Sequence, residues 1–113
     1  MSKRTPGLLL EDILAAGEKI LDYTAGISFK EFEADNKTID AVIRNFEVIG
    51  EASHLIPDSI KEKYPEVDWI RIRGFRNRIV HDYFGVDVQI IWKIKNEQIP
   101  SLISDISRIL SEM

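Results

Sequence analysis

The central stretch of the sequence reads Asp35-Asn-Lys-Thr-Ile-Asp-Ala-Val-Ile-Arg-Asn-Phe-Glu-Val-Ile-Gly-Glu-Ala-Ser-His-Leu-Ile-Pro57. Its apolar and small residues recur at steps of three and four, which is the spacing of one helix face. They are Ile39, Val42, Ile43, Phe46, Ile49, Gly50 and Ser53. Asp35 or Asn36 can cap a helix at its first turn, and Pro57 disfavours helical backbone in the residue before it. The stretch therefore predicts a long amphipathic helix.

The residues before this helix predict two others. Thr5-Pro6 reads as a helix start, because proline suits the first helical position. A stripe with helical spacing follows and ends before Gly26; its residues are Leu10, Ile13, Leu14, Gly17, Ile20, Leu21 and Thr24. Ser28 and Glu31 have the spacing of a capping box, so we expect one or two further helical turns before Ala34.

The sequence after Pro57 predicts a short connector and then a third long helix. The connector extends to Pro65 and has room for one helical turn. Asp68 can cap the third long helix and Gly85 can end it. The apolar residues of this helix are Trp69, Ile70, Phe75, Ile79 and Val80.

The last part of the chain predicts a fourth long helix that is kinked. Asp87 can cap it, and Pro100 lies inside its apolar pattern, so we expect a kink or a break near Gln98. The apolar residues are Ile90, Ile91, Trp92, Ile94, Leu102, Ile103, Ile106, Ile109 and Leu110. No segment alternates with the period of a strand. The expected fold is therefore all-α, an antiparallel bundle of four or five helices with a kinked last helix.

The composition fits a single domain that spans residues 1–113 and lies in the reducing cytoplasm. The chain has no cysteine, which excludes disulfides and a cysteine nucleophile. No apolar run reaches the roughly 18 residues of a membrane helix. The formal net charge is -4, so contact with nucleic acid should be local. A bundle of this size leaves apolar surface uncovered, and we expect a homodimer.

A basic cluster in residues 70–85 contrasts with the acidity of the chain. Four arginines precede the first acid of this stretch, and they are Arg71, Arg73, Arg76 and Arg78. On an ideal helix Arg73, Asn77 and His81 form one ridge, whereas Arg76 and His81 lie roughly 140° apart. Convergence of Arg76 and His81 would need a distorted helix end, a swing of the long arginine side chain or a second copy of the helix.

Guanidinium and imidazole groups together can cleave RNA without a metal ion. Imidazole can take a proton from the 2′-hydroxyl or give one to the 5′ leaving oxygen, and guanidinium stabilises charge on the phosphate. Asn77 could orient His81 or hold a phosphate oxygen. From spacing alone, a solvated arginine face is the commoner interpretation. His54 is interpreted as a cap or surface residue, and neither histidine has partners at metal-ligand spacing.

The segment Arg76-Asn-Arg-Ile-Val-His81-Asp-Tyr83 resembles the Arg-x4-His-x-Tyr motif of the HepT-like toxins of the HEPN superfamily. The similarity covers roughly residues 8 to 112. Further matching segments are Ile49-Gly-Glu-Ala52, Lys63-Tyr-Pro-Glu66, Asp68-Trp69, Tyr83-Phe-Gly-Val-Asp87, Ile91-Trp-Lys-Ile94 and Ile99-Pro100. The resemblance implies small HEPN-like helical bundles that form homodimers, with the motif helices facing each other across a cleft.

The resemblance also implies a function. Such proteins are toxins that cleave RNA without a metal or other cofactor, and a minimal nucleotidyltransferase is their antitoxin. Carried over to this chain, Arg76 and His81 are catalytic, Asn77 supports them, and the partner transfers AMP to Tyr83. The AMP group would add bulk and negative charge where the RNA phosphate should bind.

Glu51 and Arg73 complete the expected site. Glu51 is either a surface carboxylate or the partner of a motif arginine that it holds in position. Gly50 beside it indicates close helix packing, and Arg44 is a weaker candidate for contact with RNA or the partner. Two alternatives stay open. One is a non-catalytic subunit that binds a nucleotide or polynucleotide for the nucleotidyltransferase, and the other is a dimeric scaffold without a ligand.

Overall fold

The fold was obtained as a computed structural model, which describes residues 4–81 and 85–113, with the backbone alone for His81. Helices dominate these residues, which confirms the predicted all-α class. In chain order the elements are α1 (Pro6–Tyr23), α2 (Phe29–Glu33), α3 (Asn36–Leu55), α4 (Asp58–Lys63), α5 (Trp69–Arg73), α6 (Phe75–Ile79), β1 (Val80–His81), β2 (Gly85–Val86), α7 (Val88–Glu97) and α8 (Ile99–Glu112).

The centre of the bundle consists of α1, with α3 and α8 packed against it. The predicted stripes face this centre. In α1 and α3 the fully buried apolar side chains are Leu10, Ile13, Ile20, Val42, Phe46 and Ile49. Complete burial of one such large side chain contributes about 1.5–3 kcal/mol, so these two helices supply much of the stability of the core.

Side-chain caps begin the helices where the sequence predicts them. Thr5 accepts a hydrogen bond from the backbone amide of Leu8, and Ser28 and Glu31 form the full capping box. Asp35 caps α3 by accepting from the amide of Thr38 at 3.1 Å. Asp68 and Asp87 cap α5 and α7 in the same way. Each cap satisfies an amide that has no partner within its helix.

The prediction of one continuous helix from Asp68 to Gly85 is wrong. Helical backbone is interrupted at Gly74 and ends at Ile79, after which Val80 adopts an extended conformation. Strands β1 and β2 then pair antiparallel, with His81 opposite Gly85. β-branched Val80 favours extended backbone, and Gly85 has a φ of 83°, which glycine adopts without steric cost. The helical ridge that was expected to include His81 therefore ends at Asn77.

Ile70 is one of the apolar residues of the predicted third helix, but it lies outside the core. Its side chain is 87% exposed, whereas Trp69 and Ile72 are buried. Helix α5 has only five residues, so one narrow face can reach the core. Trp69 and Ile72 are three residues apart and share that face, and Ile70 points about 100° away from Trp69.

The C-terminal half follows the prediction of a break. Helices α7 and α8 are separated at Gln98, and Pro100 lies in the first turn of α8, where its missing amide proton is not needed. The connector after Pro57 forms α4, which is slightly longer than the single turn expected. Among the described residues, no helix has the length and apolar character needed to cross a bilayer.

Helix α8 is also fixed to the segment before α5 by an ion pair. Arg108 Nη2 donates to Glu66 Oε1 at 2.6 Å, and Asp105 and Glu112 lie within 4 Å of the same guanidinium. The hydrogen bond from Arg108 holds the pKa of Glu66 below its ordinary value of 4.5. A carboxylate with a depressed pKa stabilises the fold above that ordinary value, and the contribution is lost as the pH falls through the lower folded value.

We therefore expect the Arg108→Ala substitution to lower the Tm at neutral pH and to lower it less in acid. The side chains are half exposed, so the effect should be small. Thermal unfolding of both proteins across acid pH measures it, with Lys93→Ala on α7 as a control for the loss of one surface charge. A Tm difference that stays constant with pH would contradict the assignment.

Candidate active site

A groove of about 500 Å³ lies between α3 and the α5–α6 segment. We call it the α3–α6 groove, and the described residues that line it are Arg44, Glu47, Gly50, Glu51, His54, Arg73, Arg76 and Asn77. The three arginines and two glutamates among them give a formal charge of +1, in a chain whose net charge is -4. The groove is therefore a local basic site that suits an anion.

Helical spacing explains why these side chains meet. On α3 the charged and polar side chains of the groove recur at steps of three and four along one face: Arg44, Glu47, Glu51 and His54. The side chains of the opposite wall also lie three and four residues apart, across the α5–α6 break. We call this side the arginine wall, and it consists of Arg73, Arg76 and Asn77. The two ridges face each other, so donors from both walls can reach one ligand.

Gly50 sets how closely the two walls approach. A Cβ atom at this position would lie 3.1 Å from the carbonyl oxygen of Arg73, which is shorter than ordinary van der Waals contact. The α5 backbone thus rests directly on α3, as the sequence indicated. The position of Arg73, and of Arg76 after it, depends on the missing side chain.

We expect the Gly50→Ala substitution to impair the RNA cleavage that the sequence resemblance implies, without stabilising the protein. Alanine in a helix interior gains about 1 kcal/mol over glycine, but the new Cβ must push the Arg73 backbone away. A displacement of a few tenths of an ångström in the arginine wall should lower kcat/KM on the order of 10-fold.

Gly7→Ala is the matched control, because its Cβ would meet no described atom within 4 Å beyond its chain neighbours and the adjacent backbone of α1. It should leave cleavage unchanged. Urea unfolding and initial cleavage rates of both variants test the prediction. Full activity of Gly50→Ala would show that the walls can separate without consequence.

Arg76 has a defined neighbour in the groove. Its Nε lies 3.7 Å from Glu47 Oε1, and both side chains are about half exposed. Exposed ion pairs contribute only about 0.2–1 kcal/mol, so this contact orients the guanidinium more than it stabilises the fold. At 3.7 Å this contact is longer than a hydrogen bond, so the donors of the fork, including its Nη groups, can serve a phosphate.

The described contacts of Glu51 match the surface carboxylate, one of its two interpretations, and not the ion pair. Glu51 lines the groove, but within the described residues it has no charged partner within 4 Å, and Glu47 one turn earlier pairs with Arg76 instead. The reason is the packing of α6 on the middle of α3. The Phe46 and Phe75 rings meet edge to face with centroids 5.6 Å apart, which brings the next residue of each helix together.

Three of the predicted site residues, Arg73, Arg76 and Asn77, converge in the groove. The backbone of His81 follows α6 directly in β1, while its side chain and the whole of Tyr83 lie outside the described residues. In the described part of the chain, no group of three His, Cys, Asp or Glu side chains is arranged to hold a metal ion.

Sequence reasoning missed two residues of the groove. Glu47 was not singled out, and His54 was interpreted as a cap or surface residue. The weak candidate Arg44 also lines the groove. A usable signal was present, since these three residues share the helix face that borders Gly50.

Comparison with known proteins identifies the family. A family model described as "Ribonuclease HepT-like" matches residues 13–109. A Thermococcus cleftensis protein named "Probable ribonuclease HepT" is 47% identical over 100 residues, which cover 88% of this chain and 91% of that protein. A Methanocaldococcus jannaschii protein whose name begins "Putative RNase" is 39% identical over 113 residues, covering 100% and 93%.

A third relative, from Caldanaerobacter subterraneus, also carries a name that begins "Putative RNase". It is 38% identical over 109 residues, which cover 96% of this chain and 97% of that protein. No solved structure matches the chain significantly. The chain belongs to the HepT-like ribonuclease family, and its activity is that of a ribonuclease, an enzyme that acts on RNA.

Proposed function

We propose that the α3–α6 groove and His81 form a site for metal-independent RNA cleavage, and that the chain acts as the toxin of a toxin–antitoxin pair. The observation that carries the proposal is the convergence of Arg73, Arg76 and Asn77 in one basic groove of a ribonuclease. Membership in a ribonuclease family favours this catalytic role over the non-catalytic binding subunit and the ligand-free scaffold.

The proposed reaction is an internal transfer at phosphorus. The 2′-oxygen of one nucleotide attacks the adjacent phosphorus, a P–O2′ bond forms and the P–O5′ bond breaks. The products are a 2′,3′-cyclic phosphate and a 5′-hydroxyl. One group must take the 2′ proton and another must supply a proton to the leaving oxygen. DNA lacks the 2′-hydroxyl and should be inert.

Arg76 has the role of stabilising the phosphate as negative charge accumulates on its oxygens. Its position in the basic groove, with Glu47 3.7 Å from its Nε, supports this role. A preorganised donor of this kind contributes more in the transition state than in the ground state. Arg73 and Asn77 on the same wall would bind the flanking phosphate oxygens.

We infer that the active species is a homodimer. A second copy would bring a second motif imidazole and a second set of arginines to a cleft between the two motif segments. Exposed apolar side chains at Leu55 and Ile70 support this inference, because they lie on α3 and α5, the helices that form the groove.

The deciding experiment is cleavage of a single-stranded RNA by the purified protein in excess EDTA. A DNA strand of the same sequence serves as the control substrate. The expected result is RNA cleavage alone, with 2′,3′-cyclic phosphate ends. Activity that appears only after a divalent ion is added, or equal cleavage of the DNA, would refute the proposed mechanism.

The regulation we propose is transfer of AMP from ATP to the Tyr83 hydroxyl by a minimal nucleotidyltransferase, with release of pyrophosphate. The added phosphate would repel the RNA backbone electrostatically. We expect incubation with the partner and ATP to abolish cleavage and to add the mass of AMP to a peptide containing Tyr83. Tyr83→Phe should keep its activity under the same treatment. Inhibition of Tyr83→Phe together with wild-type protein would argue against this regulation.

A further inference from the structure

His54 is the second histidine of the chain, and it lines the α3–α6 groove opposite the arginine wall. We infer that His54 is the proton donor of the cleavage reaction and delivers its proton to the 5′ leaving oxygen. This inference rests on the proposed function, because it assigns a further catalytic residue to the same reaction.

The position of His54 follows from the contact at Gly50. The two residues are four apart on α3 and therefore share a face. Gly50 lets the Arg73 backbone approach α3 directly, so the side chain one turn later borders the same wall. His54 is exposed and lines the groove together with Arg76 and Asn77. An imidazole there is accessible both to a bound phosphate and to water, from which it can be reprotonated.

Two negative groups on α3 lie beside His54. His54 lies in the last turn of α3, where the negative end of the helix dipole favours a positively charged side chain. Glu51 lies one turn before it and adds a second negative charge to the same wall.

The proton inventory of the reaction then balances with two imidazoles. His81 takes the proton of the 2′-hydroxyl as the P–O2′ bond forms. His54 gives a proton to the 5′-oxygen as the P–O5′ bond breaks. The two imidazoles end in exchanged protonation states, and exchange with water resets them without any additional reactant.

A substrate with sulfur in place of the 5′-oxygen tests this role. A thiolate leaves without protonation, because thiols are much stronger acids than alcohols. We expect His54→Ala to lower kcat about 10²–10³-fold on ordinary RNA and to cleave the 5′-thio RNA at nearly the wild-type rate. His81→Ala should be slow on both substrates, since the 2′ proton must still be removed.

Lys93→Ala on α7 controls for the loss of one exposed positive group, and His54→Gln controls for loss of the side-chain hydrogen bond. Circular dichroism verifies folding of each variant.

Equal losses on both substrates, or a change in KM alone, would assign His54 to binding and overturn the inference. Wild-type rates in His54→Ala with inactive His81→Ala would overturn this inference only. Failure of the wild-type protein to cleave without metal would overturn the proposed function and the inference together.

Discussion

Replacing Arg76 with alanine is expected to lower kcat for RNA cleavage about 10²–10³-fold, the usual loss when one preorganised donor to a developing oxyanion is removed. The fold should be retained. Arg76 is exposed, and its described contact is the half-exposed pair with Glu47, so its loss should change the free energy of unfolding by about 0.5 kcal/mol or less. Rates in EDTA and a urea unfolding curve give both quantities.

Arg78→Ala is the matched control for this experiment. Arg78 lies two residues later on α6 and is equally exposed, but it is not among the described residues that line the groove. Both variants lose one positive charge, so non-specific attraction of RNA falls equally. Comparable losses of activity in the two variants would show that net charge, and not a directed guanidinium, is what matters.

Arg76→Lys separates charge from geometry. Lysine keeps the positive charge but lacks the planar fork that contacts two phosphate oxygens at once. We expect it to bind RNA nearly as well as the wild type, with a kcat close to that of Arg76→Ala. A lysine variant with full activity would contradict the role assigned to the Nη edge.

The long helices could be predicted because their signals are local. A cap such as Asp35 satisfies amides three residues away, and the stripe from Ile39 to Ser53 repeats within one helix. These interactions require no knowledge of the rest of the chain. The same logic holds at Pro100, whose missing amide proton marks the start of α8.

The motif region was predicted less well because its structure depends on distant partners. Helical spacing continues past Ile79 in the sequence, but the β1–β2 pairing holds Val80 in an extended conformation. The amide of Asp87 donates to the carbonyl of Ile79 at 2.8 Å, across the residues of the motif. A helical wheel contains no information about such a bond, so the predicted alignment of His81 with Asn77 did not hold.

The composition of the groove depends on tertiary packing in the same way. The sequence indicates that Gly50 permits close approach, but not which backbone approaches. The contact between the rings of Phe46 and Phe75 sets the position of α6 along α3. This position pairs Arg76 with Glu47 in preference to Glu51. The sequence therefore identified Arg73, Arg76 and Asn77, which line the groove, but not Glu47 and His54 on the wall that they face. The chemical roles of these residues stay predictions.

Phe75→Ala should be among the most destabilising single substitutions in this chain. The ring is fully buried, and its edge-to-face contact with Phe46 joins α6 to α3. Truncation of a buried phenylalanine costs about 3–5 kcal/mol, because transfer energy is lost and a cavity remains. Domains have a total stability of about 5–15 kcal/mol, so the variant should be at or near the threshold of unfolding.

Activity should fall together with stability, because the same contact sets the spacing of the two groove walls. Phe75→Leu refills most of the cavity and should recover much of the stability, while cleavage stays impaired if the ring also sets the register of Arg76. Leu8→Ala is the control: it removes an apolar side chain from a 41% exposed site on α1, away from the groove, and should destabilise the protein far less than Phe75→Ala. Urea unfolding midpoints and cleavage rates of the three variants separate the two effects. A Phe75→Leu protein with wild-type cleavage would mean that groove geometry is maintained without the aromatic contact, and that Gly50 alone determines it.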